Sequence, residues 1–150
     1  LEVVRVLVKA DELDKAQKKL DQMASRAATN PAMGARVKMA KAELLMGQKK
    51  TDEALPILVQ VVKDTNDKNV KAVAHNTIGE CYYRANRYNE ALWEFLWVDA
   101  VFNQDKAQHA KALYYLWRTF EQLNNAERAQ ECREMLLNDK QFSGTEYQLR

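Results

Sequence analysis

The chain has 150 residues, 47% of them hydrophobic and 29% charged, an ordinary balance for one globular folding unit. The 23 Lys and Arg against 21 Asp and Glu leave a formal charge of +2 with the signs interspersed, so there is no basic footprint for nucleic acid or anionic lipid. No apolar run approaches the roughly 18 residues a membrane span needs, and only four Gly and two Pro point to a nearly all-helical chain.

Residues 1–10, LEVVRVLVKA, are rich in β-branched side chains and would suit a strand in isolation. Their register with later segments argues instead for the remnant of a first helix. Asp11-Glu12 open the next helix, whose apolar line is Leu13, Ala16, Leu20 and Met23 at helical spacing. Asn30-Pro31 ends this unit, because the residue before a proline is pushed out of helical geometry. A helix carrying Val37, Met39, Ala42, Leu45 and Met46 follows, with Gly47 as its expected C-cap. Thr51 is the expected N-cap of the next helix, Asp52 and Glu53 suit its dipole, and Pro56 one turn further in removes a donor. After the loop Thr65–Asn69 come helices from about Val70 to Ala85 and to about Phe102, with a turn at Asn86-Arg87. A fourth pair runs from about Asp105 to Leu123 and on to Leu137, turning at Asn124-Asn125. The tail after Asn138 reads as the start of a further helix.

These segments repeat. Ala16, Ala54, Ala91 and Ala129 stand in matching contexts, 38, 37 and 38 residues apart. A second landmark, Val4, Ala42, Gly79 and Trp117, keeps the same steps, and three residues beyond each stands Leu7, Leu45, Tyr82 or Phe120. One helical hairpin per fixed period is the mark of an α-solenoid, with units at about 1–30, 31–69, 70–104 and 105–138 of a single repeat domain. Small residues at the landmarks let paired helices approach, and larger neighbours such as Tyr82 and Phe95 fill the gaps.

Ile78-Gly79, Tyr82, Tyr88, Ala91 and Phe95 stand in the order and spacing of the tetratricopeptide repeat signature, which the chain resembles over nearly its full length. The second unit carries Ala42 for the glycine and Leu58 for the aromatic; the fourth carries Trp117 in the small slot and Arg133 where an aromatic is usual. The period exceeds the standard 34. That longer repeat, and Gly144-Thr145-Glu146-Tyr147, look similar to tetratricopeptide proteins of the bacterial envelope, of the Tol–Pal-associated and outer-membrane assembly types. This puts the envelope or periplasm first among compartments and leaves the cytoplasm open. The resemblance implies a right-handed all-α superhelix whose first helices line a concave groove for a peptide or partner segment, with no catalysis and no cofactor.

Helical geometry then marks the groove stripe. With His75, Ile78, Gly79 and Tyr82 toward the core, Asn76, Glu80 and Tyr83 face the groove; one period back and forward stand Met39, Glu43 and Met46, then Tyr114, Arg118 and Glu121, with Arg36 and Lys111 at the edge. Asn suits a peptide backbone, Met and Tyr apolar contact, and Arg a carboxylate. Some tetratricopeptide modules clamp a C-terminal carboxylate with paired Lys and Asn. Asn76 matches in type, but Glu80 and Glu43 would repel the anion, so that clamp is not expected here.

Eleven of the 13 aromatics lie between Tyr82 and Phe120. Trp93 and Trp97, offset from the line of Ala91, Phe95 and Val98, make their helix apolar nearly all round. Packing against Trp117 of the next repeat is the first expectation, and a surface for another chain or for self-association is the alternative. Cys81 and Cys132 have no paired spacing and read as small buried hydrophobes. His75 and His109 lack metal-ligand spacing, so no metal is expected. A chain opening at Leu1 rather than Met reads as a piece of a longer protein, on which missing targeting signals say nothing.

Overall fold

With so few helix breakers, local propensity favours helix almost everywhere. The computed structural model describes residues 1–28 and 33–149 and forms eight α-helices among them. The break expected at Asn30-Pro31 lies outside the described residues. The chain divides into two compact units, Leu1–Thr65 and Asn66–Arg150.

The first unit holds α1 (Glu2–Lys9), α2 (Leu13–Ala27), α3 (Gly34–Gly47) and α4 (Thr51–Asp64). The valine-rich opening is helical, with Val4 fully buried among Ala16, Leu20, Ala40 and Leu44. Helices α1 and α2 form one antiparallel pair, α3 and α4 another, and α1 also touches α3. There Arg5 is 2.7 Å from Glu43, and both side chains are mostly covered. Helix α4 continues through the exposed Pro56.

The second unit holds α5 (Lys68–Arg84), α6 (Tyr88–Ala100), α7 (Lys106–Gln122) and α8 (Ala126–Asn138), followed by a 3-10 turn at Lys140–Phe142. Again α5 pairs with α6 and α7 with α8, while α7 also meets α6 and α5. Asp67 and Asp105 cap α5 and α7, each accepting two backbone N–H bonds in its first turn.

Each hairpin turns through three residues, and all four turns share one backbone pattern. Asp11, Lys49, Asn86 and Asn124 adopt φ of 59, 63, 58 and 57°. The next amide in each case bonds back to Leu7, Leu45, Tyr82 or Phe120, at 2.8–2.9 Å. The left-handed residue's own amide bonds three residues back, which completes a Schellman motif. The sequence landmark three beyond Val4, Ala42, Gly79 and Trp117 is therefore the carbonyl on which each turn closes. In the following helix Ala16, Ala54, Ala91 and Ala129 each donate an amide to the N-cap carbonyl, and all four are buried.

Two expected caps are corrected. Gly47 is the last residue of α3, not its left-handed cap; Lys49 takes that conformation. Gly47 is needed for closeness, since a Cβ there would come within 2.5 Å of Val8 Cγ1. Lys50, rather than Thr51, is the N-cap of α4, because the turn closes so tightly that the residue after the left-handed one already occupies that position.

The small-slot idea extends to a pairing. Each landmark on a first helix matches a residue 16 further on in its partner: Val4 with Leu20, Ala42 with Leu58, Gly79 with Phe95 and Trp117 with Arg133. A Cβ on Gly79 would fall 2.6 Å from the Phe95 ring, so the slot is filled by the partner's aromatic. In the fourth hairpin the large group has changed sides. Trp117 is half-buried, and the Arg133 guanidinium lies 5.3 Å from its ring centroid.

No further helix begins after Asn138 among the described residues. Asp139 instead caps the short 3-10 turn, and Phe142 is fully buried against Ala110, Leu113 and Leu136. Burying one such ring is worth about 1.5–3 kcal/mol, enough to hold the turn in place.

Candidate functional site

The seam between α5 and α7 is bridged by polar side chains. Asn76, Glu80 and Tyr83 recur at helical spacing along α5, and Gln108, Lys111, Tyr115 and Arg118 along α7. Asn76 Nδ2 donates to the backbone oxygen of Gln108 at 2.9 Å and to its Oε1 at 3.0 Å. One turn on, Glu80 pairs with Lys111 and accepts the Tyr115 hydroxyl at 3.0 Å, with Arg84 3.6 Å away. Next, the Tyr83 ring meets Tyr115 edge-on at 5.6 Å. Tyr115 also lies flat on Phe95, centroids 5.0 Å apart, which ties the seam to the core.

Beyond these rungs lies a hollow of about 290 Å³. Tyr83 and Arg84 line it from α5, and Tyr114, Tyr115 and Arg118 from α7. Burial raises the phenol pKa of Tyr83, and burial with the adjacent Glu80 carboxylate raises that of Tyr115, so both rings keep their protons. Arg118 pairs with Glu121 at 2.8 Å, and Glu121 also accepts from Trp117 Nε1 at 2.7 Å. The tail supplies Tyr147, whose ring packs 5.4 Å from Tyr114 and 6.2 Å from Tyr115. Protonated phenols and two guanidinium forks can bind an oxyanion while their rings hold the apolar stem that carries it.

No family model, curated protein or solved structure matches this chain.

Of the groove residues expected from sequence, the seam and hollow bring together Glu80, Tyr83, Lys111, Tyr114, Arg118 and Glu121. Arg36, Met39, Glu43 and Met46 lie on α3 in the other unit. There Arg36 is exposed, Met46 half-buried, and Glu43 bonded to Arg5. Asn76 and Met39 have no exposed surface, which corrects their assignment to an accessible stripe. For Asn76 the reason is that the α5 stripe beside the core is covered by α7. Arg84, Tyr115 and Tyr147 escaped sequence reasoning. The first two adjoin expected residues, but a one-residue step rotates a helical side chain by about 100°, off the expected stripe.

Trp93 does not pack against Trp117: it is 67% exposed, whereas Trp117 contacts Tyr114 and Arg133. Trp97, 49% exposed, stacks on His75 and Phe102 with centroids 6.0 and 6.2 Å away. The two histidines tie α6 to both neighbours, His75 Nδ1 lying 2.8 Å from Glu94 and His109 Nε2 2.7 Å from Asp99. Neither Cys81 nor Cys132 is held in a disulfide, and burial pushes the Cys132 thiol up to about 11. Among the described residues no helix is long and apolar enough to cross a membrane, and no group of three His, Cys, Asp or Glu converges as a metal site.

Proposed function

We propose that the chain is a tetratricopeptide-like solenoid acting as a non-catalytic protein–protein interaction scaffold, which holds a peptide or partner segment on the face made by its first helices. The observation that carries this reading is the hollow between α5 and α7, where Tyr83, Tyr114 and Arg118, drawn from two different repeats, converge on one opening. Tyrosine and arginine are among the residues enriched where binding energy concentrates at interfaces, because each joins a large contact surface to a directed polar tip. The fourfold recurrence of one turn and one buried alanine supports the repeat reading. The test is a displayed random-peptide library, with the selected peptides measured by fluorescence anisotropy. The Tyr83→Ala/Arg118→Ala double variant should lose binding while its circular dichroism is unchanged. Selected peptides that bind the double variant as tightly as the parent would remove the groove from the function.

A second reading, self-association or docking through the outer face of α6, is favoured by the exposure of Trp93 and Trp97 beside Val101. Sedimentation against concentration distinguishes it: association abolished by Trp93→Ala supports this face, and a monomer at all concentrations refutes its use between copies.

A further inference from the structure

Resting on the groove reading, we propose that the hollow between α5 and α7 takes one acidic side chain of the partner segment, its carboxylate held by Arg84 and Arg118 and its stem against Tyr83 and Tyr114. The lining is phenol and guanidinium, with no carboxylate among the five residues. The anions that argued against such a ligand in the sequence are already engaged. Glu80 is bound to Lys111 and Tyr115, and Glu43 to Arg5. Glu121 is shared by Arg118 and Trp117.

The ion pairs that reach the lining set three cations, Arg84, Lys111 and Arg118, against two carboxylates, Glu80 and Glu121, an excess of one positive charge within those pairs. Arg84 is the group with capacity to spare. Its side chain is 70% exposed, and its contact with Glu80 is a long 3.6 Å to an oxygen that already accepts from Tyr115. A guanidinium fork open on one side is shaped for a bidentate carboxylate. The surplus matches the single charge of an aspartate or glutamate better than the −1.5 to −2 or so of a phosphate ester. At about 290 Å³ the space lies at or below the low end for drug-sized ligands, which suits one side chain.

The experiment uses short fluorescein-labelled peptides, acetylated and amidated at their ends, with a leucine-rich sequence carrying either glutamate or glutamine. Further arms carry phosphoserine at that position, or glutamine with a free C-terminal carboxylate. The glutamate probe should bind about tenfold more tightly than the glutamine probe, with the difference shrinking as salt is raised. The advantage should vanish in Arg84→Gln/Arg118→Gln and fall in Arg118→Lys, which keeps the charge but loses the fork. Equal binding of glutamate and glutamine probes overturns the carboxylate subsite and leaves the groove standing. A preference for phosphoserine, or for the free C-terminus alone, overturns the assignment to an acidic side chain. Binding by no probe overturns both the subsite and the groove.

Discussion

Replacing Gly79 with alanine adds one methyl group at the seam between α5 and α6. Its Cβ would stand 2.6, 2.7 and 3.0 Å from Cζ-edge atoms of Phe95, namely Cε1, Cζ and Cδ1. Carbon atoms in contact sit about 3.5–4.0 Å apart, so the ring must retreat by about 1 Å. Phe95 has no free direction for that movement, being fully buried and stacked on Tyr115 at 8° to its plane. Two effects favour alanine: about 1 kcal/mol of helix propensity and about 0.8 kcal/mol for burying one more carbon. Against them stand overpacking, at about 1–3 kcal/mol, and disturbance of the aromatic stack, at about 0.5–1.5 kcal/mol. The balance is a loss near 1 kcal/mol, which for a unit of this size lowers Tm by about 4–8 °C. Thermal and urea unfolding followed by circular dichroism measure it. Gly34→Ala, where a Cβ would meet nothing within 4 Å among the described residues, is the control and should be neutral or slightly stabilising. In a Phe95→Leu background the alanine penalty should disappear, because the flat ring that it strikes is gone. A rise in Tm for Gly79→Ala, or an undiminished penalty beside Leu at 95, would refute the close approach as the reason for this glycine.

Lys49→Asn should stabilise the first unit by about 0.5–1 kcal/mol, since lysine bears the strain of a left-handed residue that asparagine tolerates; asparagine already holds that place at Asn86 and Asn124. A lower urea midpoint would count against it. Thr119→Val should raise stability by about 1 kcal/mol, because the Thr119 hydroxyl is buried with no hydrogen-bond partner among the described residues. Differential scanning calorimetry reads the change, and a loss would show that the hydroxyl is satisfied. The Tyr115 phenol has a pKa raised above its ordinary value of 10.0. The unfolded chain therefore releases this proton first, and the stabilisation is complete below about pH 10 and is lost as pH climbs toward the folded value. Tyr115→Phe should flatten the alkaline limb of stability against pH, and an unchanged limb would exclude Tyr115 as its source.

Much of the fold was legible in the residues because a helix converts spacing directly into facing. Ala16, Ala54, Ala91 and Ala129 announced the period and are buried at one matching position. The valine-rich opening was placed as a helix by register alone, against local propensity, and it is one. The candidate site was legible as a stripe, since Tyr83, Tyr114 and Arg118 do converge, but not as a surface.

What the sequence by itself determined is the repeat, the helices and the residues that must stay small, because these follow from short-range geometry and side-chain volume. Only the tertiary structure decided which polar stripe is covered: Asn76 disappears beneath α7 while Arg84 stays open, and both stand beside the same core line. It also decided that Trp93 faces outward, that Phe142 plugs α7 and α8, and that Lys49 rather than Gly47 takes the left-handed turn. The covered stripe, the outward Trp93 and the Phe142 plug depend on how far one helix is displaced along its neighbour. That offset is set by the packing of many side chains at once, and no single stretch of chain encodes it.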